Sequence, residues 1–440
     1  MMPPVTPDVT SAKISRAGWR IVLLASLGGT LEFYDFVIFG VFGPDLGRAI
    51  FPSDVPLVEL LSSYGVFAAG YFARPIGGIV LSHYGDRYGR KNVFLLSLFA
   101  MSGATLAMGL VPSYASWGVA ASATMIFLRL LQGFCIGGEL PGALTYVVET
   151  APKQAALVCG VVFACVTYGV AVATGVSVGV RTFLPPELVP EYGWRIAFIL
   201  GGLGGIVSFI ARRAMEESPE FAKMKALAAR QPFREVLTQY RGAVITGIGC
   251  LALSAGFNGL YFSHMPGYLG RVLGYDPRLA VVAATIGVVI HASMIAVVGW
   301  MVRFVPALTL LRAGALGVLV LGYPFYTALA ARPESPTILL VGIGLVAGFL
   351  NGTYAVLLTD LFPTRIRFSG VALGFNIAFT TFSGTAPLIA TWLIGRTGAN
   401  DAPAMILVVC GVMTLIASFF HPRFGGHVLG GRGPGHAARV

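Results

Sequence analysis

The sequence predicts an all-α polytopic membrane protein, with twelve transmembrane helices in two six-helix bundles. Three observations carry that prediction. First, only 11% of the residues are charged and 56% are hydrophobic, with a mean hydropathy of +0.80. A soluble domain carries about 25% charge, and so few charges cannot coat a globule of 440 residues. Second, apolar stretches long enough to cross about 30 Å of hydrocarbon recur along the whole chain. Third, the basic residues gather between those stretches. They form no basic face, so the formal charge of +11 does not point to a nucleic-acid partner.

Taken in order, residues 1–18 lack a separate apolar core and cleavage site and read as a cytoplasmic tail before a retained first helix. The spans fall near 20–47, 59–81, 93–110, 117–146, 156–180, 194–211, 242–264, 279–302, 308–329, 337–358, 369–394 and 403–420. Residues 19–211 form the first bundle, 212–241 a cytoplasmic connector, 242–421 the second bundle, and 422–440 a glycine-rich, disordered cytoplasmic tail. Within the connector, Phe221, Met224 and Leu227 suggest a short amphipathic helix at the membrane surface. With an even number of spans both termini share a side. Placing them in the cytoplasm puts 21 of the 30 Lys and Arg residues inside and 7 outside; Arg74 and Arg129 lie within helices. The five cysteines sit in apolar runs without metal spacing, and the six histidines are scattered. No disulfide framework, metal, cofactor or catalytic cluster is expected, and a membrane enzyme is disfavoured.

Ionisable groups at membrane depth need a partner or a task. Glu32 and Asp35 share one face of the first helix, and Arg129 lies near the middle of the fourth. An Asp35–Arg129 pair across a central cavity would serve as a proton-coupling device, with Glu32 as the competing proton site; a static ion pair that locks the fold is the alternative. Arg129 would also suit bidentate reading of a substrate carboxylate. Arg74 sits before Pro75 in the second helix, where it would attract an anion, snorkel or pair with Glu139. Glu139 would line the substrate site, pair with Arg74 or take part in the inward gate, or serve as a polar packing residue. Asn258 and Tyr261 share a face of a Gly- and Pro-flanked stretch in the seventh helix, and Asn351 and Asn376 mark polar patches in the tenth and eleventh. Phe33, Tyr34 and Phe36 offer aromatic surface to a quaternary ammonium group, or simply pack. Buried His291 reads as a neutral residue bonded to a carbonyl or to Ser293, and His264 as a rim residue with a possible pH role.

The loop G-D-R-Y-G-R-K at 85–91 resembles the signature between the second and third helices of the major facilitator superfamily. Six further runs are similar to its metabolite–proton symporter branch: L-E-F-Y-D-F-V-I-F-G (31–40), F-A-R-P-I-G-G (72–78), R-L-L-Q-G-F-C-I-G-G-E (129–139), G-W-R-I-A-F (193–198), E-S-P-E-F (217–221) and L-F-P-T-R-I-R-F-S-G (361–370). The resemblance covers roughly residues 18–421. It implies the major facilitator fold, a multi-pass place in a bacterial inner membrane, function as a monomer, and proton-coupled import by alternating access. Members carry osmolytes such as proline and betaine, or acids such as 2-oxoglutarate, citrate and shikimate. The expected partners are therefore protons, the bilayer and a small carboxylate-bearing metabolite; uniport and exchange of the same substrates remain open. Asp86, Arg87 and Arg90, bridging to Glu149, would form the inner gate, with Asp360, Arg365 and Arg367 as the matching cluster of the second half. The chain departs from the pattern at Ser82, where glycine is usual, at Arg303, where the second-half loop would carry an acid, and at Leu140-Pro141, where Trp-Gly is common.

Overall fold

A lipid environment offers backbone N–H and C=O groups no partners, so a spanning chain must satisfy them within helices. The described residues accordingly form helices and no strand. The computed structural model describes residues 16–88, 90–213 and 232–430. Twelve long helices follow one another there: α1 (Arg16–Val41), α2 (Pro56–Tyr88), α3 (Arg90–Leu110), α4 (Val119–Glu149), α5 (Ala155–Phe183), α6 (Trp194–Arg213), α7 (Arg241–Val272), α8 (Pro277–Met301), α9 (Ala307–Ala330), α10 (Thr337–Asp360), α11 (Arg367–Thr397) and α12 (Ala404–Phe424). Ten of them are long and apolar enough to cross a bilayer unaided; α1 and α3 complete the set, α3 with an apolar stretch over Leu95–Leu110. Large apolar side chains such as Phe72, Ile76, Phe127, Val207 and Phe304 stand outward and exposed. In water that would be an aggregation surface; against lipid tails it is the outer wall.

Helix ends follow local chemistry. Asp276 accepts from the N–H groups of Arg278 (2.9 Å) and Leu279 (3.0 Å), capping α8 just before Pro277. Gly398, at φ 71°, takes the left-handed position that ends α11. Irregular backbone falls inside the bundle. α4 breaks at Gly137–Gly138 and α10 after Asn351, so the fourth helix of each half is interrupted. π-wound turns occupy Gly259–His264 in α7 and Phe379–Gly384 in α11, and such turns concentrate at functional places.

Small residues draw helices together where water cannot. A Cβ on Gly133 would land on the Gly70 carbonyl, and one on Gly137 on the Arg74 carbonyl, so α4 lies directly on α2. Between the halves, Gly160 of α5 faces Gly299 of α8, where an added Cβ would stand 2.8 Å from the opposite Cα.

Two expectations concern segments at the edge of the bundles. The connector's Phe221, Met224 and Leu227 lie outside the described residues; a helix, Pro232–Gln239, precedes α7. The tail expected to be disordered from residue 422 is ordered at its start. α12 continues to Phe424, and Gly426, Val428 and Leu429 each donate a backbone N–H to the Asp360 carboxylate, at 2.7 Å. Glycines that read as flexible in sequence here let three N–H groups converge on one anion.

Candidate functional site

The ionisable groups expected at depth meet in the first half, where α1, α2, α3, α4 and α6 pack. Glu32, Asp35, Arg74 and Arg129 are all buried, none more than 1% exposed. Their pairing differs from the expectation. Asp35 and Arg129 form no ion pair. Arg129 instead donates through Nη1 to Gln132 Oε1 at 2.5 Å, and its Cζ lies 3.8 Å from the Phe36 ring centroid, 4.8 Å from Phe39 and 5.0 Å from Phe67. An arginine held over aromatic faces is stabilised by the ring quadrupoles without using its N–H donors. The physical reason for the correction is that Gln132, one turn along α4, reaches Arg129 first, and the Phe36 ring supplies its bed.

Arg74 pairs with Glu32, Nη2 to Oε1 at 3.8 Å, and not with Glu139. It stacks on Phe36 (4.7 Å) and Tyr71 (4.9 Å). Phe36 thus lies between two guanidinium groups, and its face is taken by arginine in place of a ligand ammonium. Neither Nε and Nη1 of Arg74 nor Nε and Nη2 of Arg129 have a hydrogen-bond partner among the described residues, and the same holds for both Asp35 oxygens. Buried donors and acceptors left open cost free energy unless something fills them. Asp35 faces α6, where a Cβ on Gly201 would stand 2.5 Å from Oδ1.

The remaining expected residues divide. Tyr34 is satisfied by the Ala197 carbonyl at 2.9 Å and packs on α6. Glu139 sits in the first turn of the second segment of α4, where a helix N-terminus favours a carboxylate. Asn376 bridges the halves, donating to the Gly137 carbonyl at the α4 break (2.7 Å). Beside it Tyr71 meets Ser383 Oγ (3.2 Å), and Thr380 donates to the Tyr71 carbonyl (2.8 Å). Asn258, Tyr261 and Asn351 gather around His291, away from the arginines. Asn351 Nδ2 donates to Asn258 Oδ1 and to His291 Nε2, both at 3.0 Å; His291 Nδ1 donates to the Gly344 carbonyl (2.7 Å), and Tyr261 to the Leu340 carbonyl (2.7 Å). That arrangement fixes a neutral imidazole.

At the end where α12 finishes, Glu149 bonds across the halves to Arg367 Nη1 at 3.1 Å, and Arg303 donates to Gln154 at 3.1 Å. Arg365 pairs with Glu235, and Asp360 holds the tail segment. The side chains of Asp86, Arg87 and Arg90 lie outside the described residues. At the opposite end Arg271 donates to the Pro44 carbonyl (3.0 Å), and buried His264 packs on Tyr64 and Tyr268 with no hydrogen bond among the described residues. The halves therefore touch at both ends of the site. Sequence reasoning missed Gln132, Tyr71 and Ser383. Gln132 carries no charge to betray it, and its three-residue offset from Arg129 was the available signal.

Comparison with known proteins agrees with this architecture. Residues 25–386 match the family described as Major Facilitator Superfamily. A putative proline/betaine transporter of Staphylococcus aureus (strain MSSA476) is 30% identical over 425 residues, covering 94% of this chain and 91% of the relative. The proline/betaine transporter of Escherichia coli (strain K12) is 28% identical over 416 residues, covering 90% and 82%. Among solved structures, the proton:xylose symporter XylE bound to 6-bromo-6-deoxy-D-glucose superposes with a TM-score of 0.75 at 16% identity, covering 95% of this chain and 99% of that one. A D-xylose–proton symporter gives 0.73 at 21% identity, covering 94% and 99%. At these identities the structures speak for the fold alone.

Proposed function

This chain belongs to the Major Facilitator Superfamily and is a multi-pass secondary transporter, not an enzyme; from that premise we propose that it imports a small carboxylate-bearing metabolite with protons. The substrate is an organic acid or a zwitterionic osmolyte, a range that includes the proline and betaine named for its relatives. One observation carries the reading: two buried arginines with open N–H groups stand in the same helix cluster as a buried carboxylate that has no hydrogen-bond partner among the described residues. The open guanidinium edges suit a carboxylate, bidentate at Arg129 with Arg74 beside it. Because Glu32 already serves Arg74, Asp35 is the acid that takes the proton.

Transport then follows from differential affinity. Proton and substrate together bias one of two arrangements of the halves, and Glu149–Arg367 holds the end where α12 finishes closed in one of them. In this reading both termini are cytoplasmic, the protein lies in the bacterial inner membrane, and a monomer suffices. Asn376 and Glu139 line the passage at the α4 break, and the Asn258–Tyr261–Asn351 group shapes the wall of the second half.

The test is uptake by the purified protein in liposomes. Labelled proline, glycine betaine, 2-oxoglutarate, citrate and shikimate are offered with and without an inward proton gradient. Gradient-driven accumulation of at least one is expected, and Asp35→Asn should abolish accumulation while sparing exchange. Uptake indifferent to the gradient would mean uniport or exchange. Wild-type accumulation by Asp35→Asn would remove Asp35 as the proton site.

A further inference from the structure

We infer that Gln132 is the positioning residue that links the proton-carrying acid to the substrate-reading arginine. The inference rests on the symport reading above, and it assigns to an uncharged side chain the coupling between the two charges. Gln132 is completely buried and uses both ends of its amide. Its oxygen accepts from Arg129 Nη1 at 2.5 Å. Its nitrogen donates to the main-chain carbonyl of Asp35 at 3.1 Å and to Thr105 Oγ1 at 2.8 Å. One side chain thus ties α4 to α1 at the acid itself and to α3.

Thr105 completes the path. Its hydroxyl donates to the Met101 carbonyl at 3.0 Å, which leaves its oxygen to accept from the Gln132 amide. A hydroxyl oxygen has two acceptor sites, and Gln132 uses one. Gln132 therefore holds the Asp35 main chain, Thr105 and Arg129 Nη1 together, and a shift at the acid reaches Arg129 through the amide. Arg129 is bedded on rings with Nε and Nη2 open, so Gln132 is the only hydrogen-bonded restraint on its guanidinium among the described residues. Beside the Asp35 carboxylate stand Tyr34 of its own helix and Gly201 and Gly205 of α6; Glu32, one turn back, pairs with Arg74 of α2, and Arg129 of α4 reaches Asp35 through Gln132.

The experiment compares wild type, Gln132→Ala, Gln132→Glu and Thr105→Ala, full length in liposomes, with labelled proline, glycine betaine and 2-oxoglutarate as probes. Gln132→Ala should lower gradient-driven accumulation at least tenfold while counterflow exchange at saturating probe stays within about threefold of wild type. The pH dependence of its uptake should flatten. Gln132→Glu keeps the acceptor for Arg129 and loses the donor to Asp35 and Thr105, so it should retain exchange better than accumulation. Thr105→Ala should fall between, and serves if Gln132→Ala does not fold. Accumulation and exchange falling in step, with the wild-type pH profile kept, would reduce Gln132 to packing and overturn the inference. If wild type accumulates a probe, Asp35→Asn does not and Gln132→Ala does, the coupling role alone fails. If wild type accumulates none of the three, the reading beneath it fails for these probes and takes the inference with it.

Discussion

At the scale of single residues, the Arg74–Glu32 pair is the most exacting part of the site. Both side chains are 1% exposed, and a buried charge stripped of its partner is far more costly than the absence of the pair. Glu32→Gln alone and Arg74→Gln alone should each destabilise the protein by about 3–5 kcal/mol, read as unfolding in a fixed detergent. The double variant should recover a large part of that loss. Strict additivity of the two single effects would show that the pair has no energetic content. Transport distinguishes the two residues further: the double variant keeps its fold but lacks one guanidinium, so its affinity for a transported carboxylate should drop.

Single residues also mark what was legible in the sequence. Asp35, Glu32, Arg74 and Arg129 stood out because ionisable groups at membrane depth are rare and expensive. Their pairing did not. Which acid meets which arginine depends on rotamers and on helix rotation, and the Phe36 ring between the two guanidiniums settles it. Gln132 was passed over because an amide costs less to bury than a charge and so announces itself less.

At the scale of elements, the twelve spans were readable because hydrocarbon imposes both length and composition. The break in α4 was also written in the sequence as Gly137–Gly138, whereas the one after Asn351 carries only Gly352 as a cue. Helix contacts were less visible. That α4 lies on α2 follows from Gly70, Gly77, Gly133 and Gly137 acting together, and a chain with 57 glycines does not single out four of them. Their role is checkable. Gly133→Ala must push α4 off the Gly70 carbonyl, and overpacking of this kind costs about 1–3 kcal/mol. It should also shift Arg129, one turn away, relative to Arg74, and so weaken binding of a transported probe. Gly103→Ala on α3 is the control, because nothing lies within 4 Å of the added carbon. Equal effects of the two substitutions on stability and binding would mean that the close approach of α2 and α4 is not what places the arginines.

At the scale of the whole molecule, the question is what holds two six-helix bundles in one arrangement. Contacts cross between them at both ends, and Glu149–Arg367 is an ion pair among them at the end where α12 finishes. Arg367 is unusually well restrained. Its Nε donates to the Phe362 carbonyl at 3.2 Å and its Nη2 to the His427 carbonyl at 3.5 Å, and His427 belongs to the segment that Asp360 anchors through three backbone N–H groups. The start of the C-terminal tail thus braces the side chain that spans the halves. No local pattern in a glycine-rich stretch predicts this, since the partners are more than sixty residues apart. A hydrogen bond to a charged group contributes about 1.5–3 kcal/mol, and every 1.4 kcal/mol is about tenfold in a two-state population. Arg367→Gln should therefore shift the balance roughly ten- to a hundredfold toward the arrangement open at this end. Spin labels at Lys153→Cys and Thr364→Cys, in a background without the native cysteines, would report the opening as a longer distance component. Exchanging the charges with Glu149→Arg and Arg367→Glu should restore the short distance in part, because the reversed pair keeps the attraction but not the braces from Phe362 and His427. An Arg367→Gln distance distribution identical to wild type would mean that the apolar contact of α5 with α8 holds the halves, and that the ion pair merely sits on a closed end.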